Sequence, residues 1–310
     1  MVVYPIINGM LYTFGWLFCV LCGAHGYPFL PVPVTLIVVL GQLLFLRWKN
    51  RQVYTNDLVT LIFGVVLGFI MEVFFLSLQL IQYTTVNIVF SLFPPAWIWC
   101  LYFLFSLTYN HSLKFLNSKW FFPFLFGSIG GPLSYFAGSR LGAVTFTSDE
   151  SIIILSLFWG CYLSLMVWIN GRINQSIKYF FDPNHLKKPL TVYFDVVCPM
   201  CNKELQHLKT RKQTGKVIYF EARSPEQFEQ EVEGIDFVDA MKEIHAIDSE
   251  GKIYKGVDAF SELYCRTDFH FLAVLLSAPI SRTIFKVLYK IWAKYRLNNR
   301  CKIQPINRSS

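Results

Sequence analysis

Charge is what the first half of this chain lacks. Residues 1–170 hold six Lys/Arg and four Asp/Glu, against twenty-two and sixteen in residues 171–310. In a 310-residue chain that is 54% hydrophobic and 17% aromatic, with mean hydropathy +0.41, this excludes an ordinary soluble protein. No Lys or Arg precedes Arg47, so the basic opening of a cleavable signal peptide is missing and an uncleaved N-terminus is expected. Internal repeats, low-complexity tracts and nucleic-acid motifs are absent as well. The net charge of +8 therefore suits basic loops and a basic tail beside an anionic leaflet better than a nucleic acid.

Six apolar stretches fit membrane crossings of about 20 residues each. They cover residues 5–23, 29–46, 58–81, 93–107, 121–137 and 152–169, with Pro28, Pro31 and Pro33 turning into the second and Pro94-Pro95 into the fourth. Basic residues are confined to alternate connections. Arg47, Lys49 and Arg51 follow the second stretch, Lys114 and Lys119 the fourth, Arg172 and Lys178 the sixth. The loops near 24–28 and 82–92 have no Lys or Arg, and 138–151 has only Arg140 against Asp149 and Glu150. The positive-inside rule then predicts six spans with both termini in the cytoplasm, as an integral protein of a bacterial inner membrane. A reducing compartment on that side argues against structural disulfides. The eight cysteines divide evenly, with Cys19, Cys22, Cys100 and Cys161 in the apolar half and Cys198, Cys201, Cys265 and Cys301 beyond it.

The predicted domains are a six-helix membrane domain over 1–172, a linker over 173–189 and a soluble domain over 190–301. Within the last, residues 190–195 (LTVYFD) have strand character and end at Asp195; Cys198-Pro-Met-Cys201 follows, and then a helical pattern through Leu205 and Leu208. A strand, a CxxC and a helix in that order place Cys198 at a helix N-terminus, where free N–H groups and the helix dipole favour a thiolate. Cys201, one turn in, is near enough to resolve a mixed disulfide, and Pro199 suits the first helical turn. Asp195 fits proton transfer or a hydrogen bond to the loop, but a carboxylate raises a neighbouring thiol's pKa and is no activator. Strand 216–222, a short helix opening at Ser224-Pro225-Glu226, a hairpin over 244–254 and a helix over 257–266 complete an α/β thioredoxin-like layout. Residues 269–300 continue as an apolar run, Pro279, and an amphipathic pattern with Ile284, Val287, Leu288, Ile291, Trp292 and Tyr295 on one side. Membrane-surface contact and packing on its own domain both fit that pattern.

Residues 195–201 resemble the DCC family of thiol–disulfide oxidoreductases, named for Asp-x-x-Cys-x-x-Cys. The likeness extends to residues 245–260 (HAIDSEGKIYKGVDAF) and to 289–300 (YKIWAKYRLNNR). It implies a first Cys that attacks and a second that resolves. Residues 5–170 resemble a bacterial multispan family of unknown function, through Gly15-Trp16, Pro95 with Trp97 and Trp99, Asn110-His111-Ser112-Leu113, residues 131–138 (GPLSYFAG) and Arg140-Leu141-Gly142. Thioredoxins carry a cis-proline before their third strand; residues 238–244 here hold no proline.

Other candidate groups weigh less. Cys19 and Cys22 are spaced as CxxC near the outer end of the first span, separated from Cys198 by a hydrocarbon layer about 30 Å thick, and suit apolar packing. Glu72 is the acidic residue expected inside a span; Arg140, Tyr135 and His25 are its expected neighbours at the outer end. Asn110 and His111 belong at the inner end, suited to capping and headgroup contact. A zinc site would need two ligands from Cys265, Cys301, His245 or His207 beside the CxxC, without paired spacing. The leading reading is a membrane-tethered thiol–disulfide oxidoreductase, with Cys198, Cys201 and Asp195 as site residues, no cofactor, and a thiol or disulfide protein or small molecule as partner. The alternative is a non-enzymatic or transport-type protein binding a lipid or small solute at Glu72 and Arg140, with the CxxC domain as a regulatory or zinc-binding docking module.

Overall fold

The computed structural model describes residues 3–85, 93–118, 121–195, 199–222, 228, 232 and 234–303. The chain divides into two compact units, Met1–Gly171 and Arg172–Ser310.

Among the described residues, four helices are long and apolar enough to cross a membrane: α1 (Val3–Ala24), α2 (Pro31–Lys49), α3 (Arg51–Ser77) and α6 (Glu150–Phe180). The fourth and fifth predicted stretches form α4 (Ala96–Ser106), of 11 residues, and α5 (Phe122–Arg140), of 19 residues with Pro132 inside it. Local signals set the ends. Pro31 opens α2 where an N–H has no partner, and the Asn50 side chain accepts from the Gln52 and Val53 amides at 2.9 and 3.2 Å, capping α3. That cap starts α3 at residue 51 rather than 58, and α6 runs eleven residues past the predicted end at 169.

The first unit has a lipid-compatible exterior. Ile6, Met10, Phe14, Ile37, Leu40 and Leu44 are exposed, whereas Asn8, Asp57, Thr60, Glu72 and Asn170 are buried. Strands β1 (Ile81–Tyr83) and β2 (Val144–Phe146) pair antiparallel, Gln82 opposite Thr145, which joins the α3–α4 and α5–α6 connections at one end. Glycine brings α5 against α6: a Cβ at Gly127 would collide with the Trp159 carbonyl oxygen, and one at Gly131 with the Trp159 ring. Gly127→Ala is therefore expected to cost about 1–3 kcal/mol by overpacking, read as a lower unfolding temperature in detergent. Gly41→Ala, where a Cβ meets nothing, is the control.

The second unit is built on a four-stranded mixed sheet in the order β4-β3-β5-β6. Strand β3 (Leu190–Asp195) lies parallel to β4 (Val217–Ala222), with Leu190 opposite Val217 and Asp195 opposite Ala222. A parallel pair needs a crossover, which runs through α8 (Pro199–Lys209), after the short α7 (Pro183–Lys187) and β3. β5 (His245–Asp248) runs antiparallel to β3 and to β6 (Ile253–Lys255); Asp248 Oδ1 accepts from the Glu250 and Lys252 amides, and Gly251 supplies φ +80° at the turn. Alternation along β3 divides the core. Leu190, Val192 and Phe194 pack with Leu205, Leu208 and Leu263, whereas Tyr193 packs with Phe228, Val232 and Ile235 on the other face.

Helix α9 (Phe237–Lys242) has no counterpart in the sequence reading, and the helix expected at 224–226 lies outside the described residues. α10 (Val257–Tyr264) follows the hairpin. The predicted break at Pro279 divides α11 (His270–Ser277) from α12 (Pro279–Ile303), a bend of 92°. Together these two helices also satisfy the length and apolarity of a membrane crossing. On α12, Tyr289 packs against Phe260, and its hydroxyl oxygen accepts from the Ile244 amide of the same domain at 3.1 Å. Ile284, Val287, Leu288, Ile291 and Tyr295 are each more than half exposed.

Candidate functional site

The β3–α8 junction is where the dithiol segment belongs. Strand β3 ends at Asp195, at the C-terminal edge of the sheet, and α8 begins at Pro199. Cys198 lies outside the described residues, between those two ends. Cys201 is the third residue of α8, in its first turn; its side chain and that of Asp195 lie outside the described residues. Such a junction brings one segment to unpaired helix N–H groups at the mouth of a sheet.

A buried ion cluster lies elsewhere in the same unit. Glu262 on α10 accepts from Arg266 Nη1 at 2.8 Å, from Tyr179 at 3.0 Å and from His185 Nε2 at 2.9 Å. Arg266, with no exposed surface, donates also to the Glu262 carbonyl at 2.8 Å. Burial alone would raise the Glu262 carboxyl; the bonds from His185 and Arg266 hold it below the usual range instead. Through this cluster residues 179–188, expected as linker, become an ordered part of the second unit: α6 ends at Phe180, and α7 is capped by Asp182.

His185, Glu262 and Cys265 offer three ligand atoms within 4.8 Å of one another. They do not suit a metal. The Arg266 cation already holds the carboxylate, and burial pushes the Cys265 thiol up, away from the thiolate a zinc ion needs. Two zinc candidates from the sequence are placed apart from this group: His245 Nδ1 lies 3.0 Å from the Glu243 carbonyl, and His207 bonds Arg211. The side chain of Cys301 lies outside the described residues.

In the first unit, Glu72 is 1% exposed and accepts three phenol hydroxyls: Tyr83 at 2.5 Å on Oε2, and Tyr102 at 2.8 Å and Tyr135 on Oε1. The structure therefore joins Glu72 to Tyr135, as expected, and adds Tyr83 and Tyr102. Arg140 is exposed, with its guanidinium 5.0 Å from the Phe136 ring centroid, and His25 is exposed and bonds the Leu21 carbonyl. Neither joins Glu72. A cavity of about 260 Å³ borders Glu72, walled by Trp16, Trp97, Tyr102, Phe105 and Trp159 and by the glycines of α5.

Glu72 is not alone as a buried acid. Asp57 lies inside α3, 1% exposed, and accepts from Asn110 Nδ2 at 2.8 Å while His111 Nε2 lies 2.7 Å from its other oxygen. Asn170 donates to Asn110 Oδ1 at 2.8 Å. Asn110 and His111 thus serve a buried carboxylate rather than a helix cap. Cys19 and Cys22 are buried free thiols.

Residues 5–165 match the family described as protein of unknown function (DUF2878), and residues 192–302 match the DCC1-like thiol-disulfide oxidoreductase family. An uncharacterized chloroplastic protein of Arabidopsis thaliana is 29% identical over 117 residues, 37% of this chain and 55% of its own length. The chain thus spans about half of that relative. No solved structure matches it.

Proposed function

We propose that this chain, which belongs to the DUF2878 family and carries a DCC1-like thiol-disulfide oxidoreductase domain behind that region, is a membrane-tethered dithiol oxidoreductase. One observation carries the reading: the Cys-Pro-Met-Cys segment falls between the end of a central strand and the first turn of α8, within the DCC1-like match. The strand order β4-β3-β5-β6, with one parallel pair and two antiparallel ones, supports a thioredoxin-like fold. The apolar helices and the loop charges support six spans of a bacterial inner membrane with both termini, and the dithiol, on the cytosolic side.

In the proposed reaction the Cys198 thiolate attacks a substrate disulfide, forming a mixed disulfide and expelling one substrate thiolate. Cys201 then attacks Cys198, closing the Cys198–Cys201 disulfide and releasing the second substrate thiol. The substrate gains two electrons; a thiol reductant returns the enzyme to its dithiol form. Asp195, the last residue of β3, is assigned proton transfer or a hydrogen bond to the loop in this scheme.

Replacing Cys201 with Ser in the full-length protein is expected to stall the reaction at the mixed disulfide. Non-reducing electrophoresis and mass spectrometry of alkylated membranes should then show a covalent adduct on Cys198 that dithiothreitol releases. An adduct-free protein, or adducts that persist in a Cys198→Ser, Cys201→Ser double variant, would sink the proposal.

A further inference from the structure

The Glu72 cavity has a chemistry that the dithiol reading leaves unused. Its polar end is one carboxylate and three phenols, and each phenol has a single hydrogen, directed at the carboxylate. With those hydrogens spent, the polar end offers acceptors, namely phenol lone pairs and one free position on Oε2, since an ionised carboxylate offers about four and three are used. The Trp159 indole N–H, in the same wall, is a donor with no partner among the described residues. Among the described residues no Lys, Arg or His contacts Glu72; Arg140 is turned to Phe136 at the surface. A buried carboxylate with hydrogen bonds but no countercharge is costly in a membrane interior. The rest of the wall is mostly apolar: the indoles of Trp16, Trp97 and Trp159 and the ring of Phe105 stand beside aliphatic side chains such as Ile98 and Leu101, with Gly127 and Gly131 of α5 packed against Trp159. Aromatic faces attract cations and accept apolar bodies, and reject anions.

We infer that this cavity is a binding site for a small amphipathic organic cation, an amine or quaternary ammonium whose charge lies at Glu72 and whose apolar body lies along the tryptophan wall. At about 260 Å³ it falls below the usual drug-sized range of about 300–1,000 Å³, so the ligand is small. The acceptors at Glu72 and the aromatic faces are two separate features that select the same ligand. The site lies wholly within the first unit and needs neither Cys198 nor Cys201.

The test uses the full-length protein in lipid nanodiscs with three probes of similar shape: benzyltrimethylammonium, uncharged benzyl alcohol and benzenesulfonate. Tryptophan fluorescence and calorimetry are expected to show saturable binding of the cation alone. Glu72→Gln should weaken it at least tenfold and Tyr135→Phe several-fold, while Cys198→Ser leaves it unchanged. The probe series on the unaltered protein decides the matter even if Glu72→Gln fails to fold. Equal binding of benzyl alcohol, no saturable binding of benzyltrimethylammonium, or full affinity in a folded Glu72→Gln variant would each overturn the inference. A loss of binding in Cys198→Ser would overturn its independence from the dithiol.

Discussion

Arg266→Met is expected to destabilise the carboxy-terminal unit by about 3–5 kcal/mol, the usual cost of leaving one partner of a buried ion pair uncompensated. Arg266 is fully buried, and its guanidinium holds both the side chain and the carbonyl of Glu262. The chemical-denaturation midpoint of that unit in the full chain, followed by proteolytic susceptibility, reads the loss. Replacing both partners, Glu262→Gln with Arg266→Met, should cost less than Arg266→Met alone, because no charge is then stranded. The pH dependence has a definite sign. The Glu262 carboxyl is held below its ordinary value in the folded protein, so its contribution is complete above the unfolded value of about 4.3. It fades as pH falls toward the folded value, since the unfolded chain takes up the proton first. Arg266→Met removes one of the groups that hold it down, so the acid limb should move to higher pH. An unchanged limb, or a double variant as unstable as the single one, would contradict this account.

Cys198→Ser is expected to reduce thiol–disulfide exchange by the full-length protein to the uncatalysed background. A serine hydroxyl is neither ionised near neutral pH nor able to form the sulfur–sulfur bond on which the proposed reaction turns. Insulin or a fluorogenic disulfide, with a thiol reductant, provides the assay. Cys201→Ser should separate the steps: the first attack survives, giving stoichiometric adduct without turnover. Asp195→Asn is expected to change the pH profile of the rate more than its maximum, as suits a proton-transfer group. If Cys198→Ser retains turnover, the reaction belongs to another thiol.

The regular parts of the second unit were legible because local pattern decides them. Residues 190–195 carry alternating apolar character and are a strand over that same range; Asp248-Ser-Glu-Gly251 is turn chemistry and forms the turn; Pro279 breaks a helix where proline must. What local pattern cannot carry is distance along the chain. Asp57 drew no notice in the sequence, because its partners lie 53 and 54 residues away. The Asn50 cap, which draws Asp57 into α3, was the available signal. Glu262 and Arg266 stand at i and i+4, a spacing that usually marks a solvated helix face; here Tyr179 and His185 close over Glu262, and Thr214 and Gly215 lie against Arg266. Glu72 was conspicuous as an acid amid apolar residues, yet its partners are tyrosines from β1, α4 and α5, while Arg140, the obvious counter-ion, points elsewhere. Opposite charge is a weak guide to contact when a neutral donor can do the same work.

The row formed by Ile284, Val287, Leu288, Ile291 and Tyr295 has a practical consequence. A fragment cut after Gly171 for soluble biochemistry would take five bare greasy side chains into buffer, with Lys290 and Lys294 nearby. Such a fragment should behave as a surfactant, clumping or coating vesicles as concentration rises. Potentials and rates taken on it would then describe aggregates, and lipid-reconstituted whole chain is the sounder material.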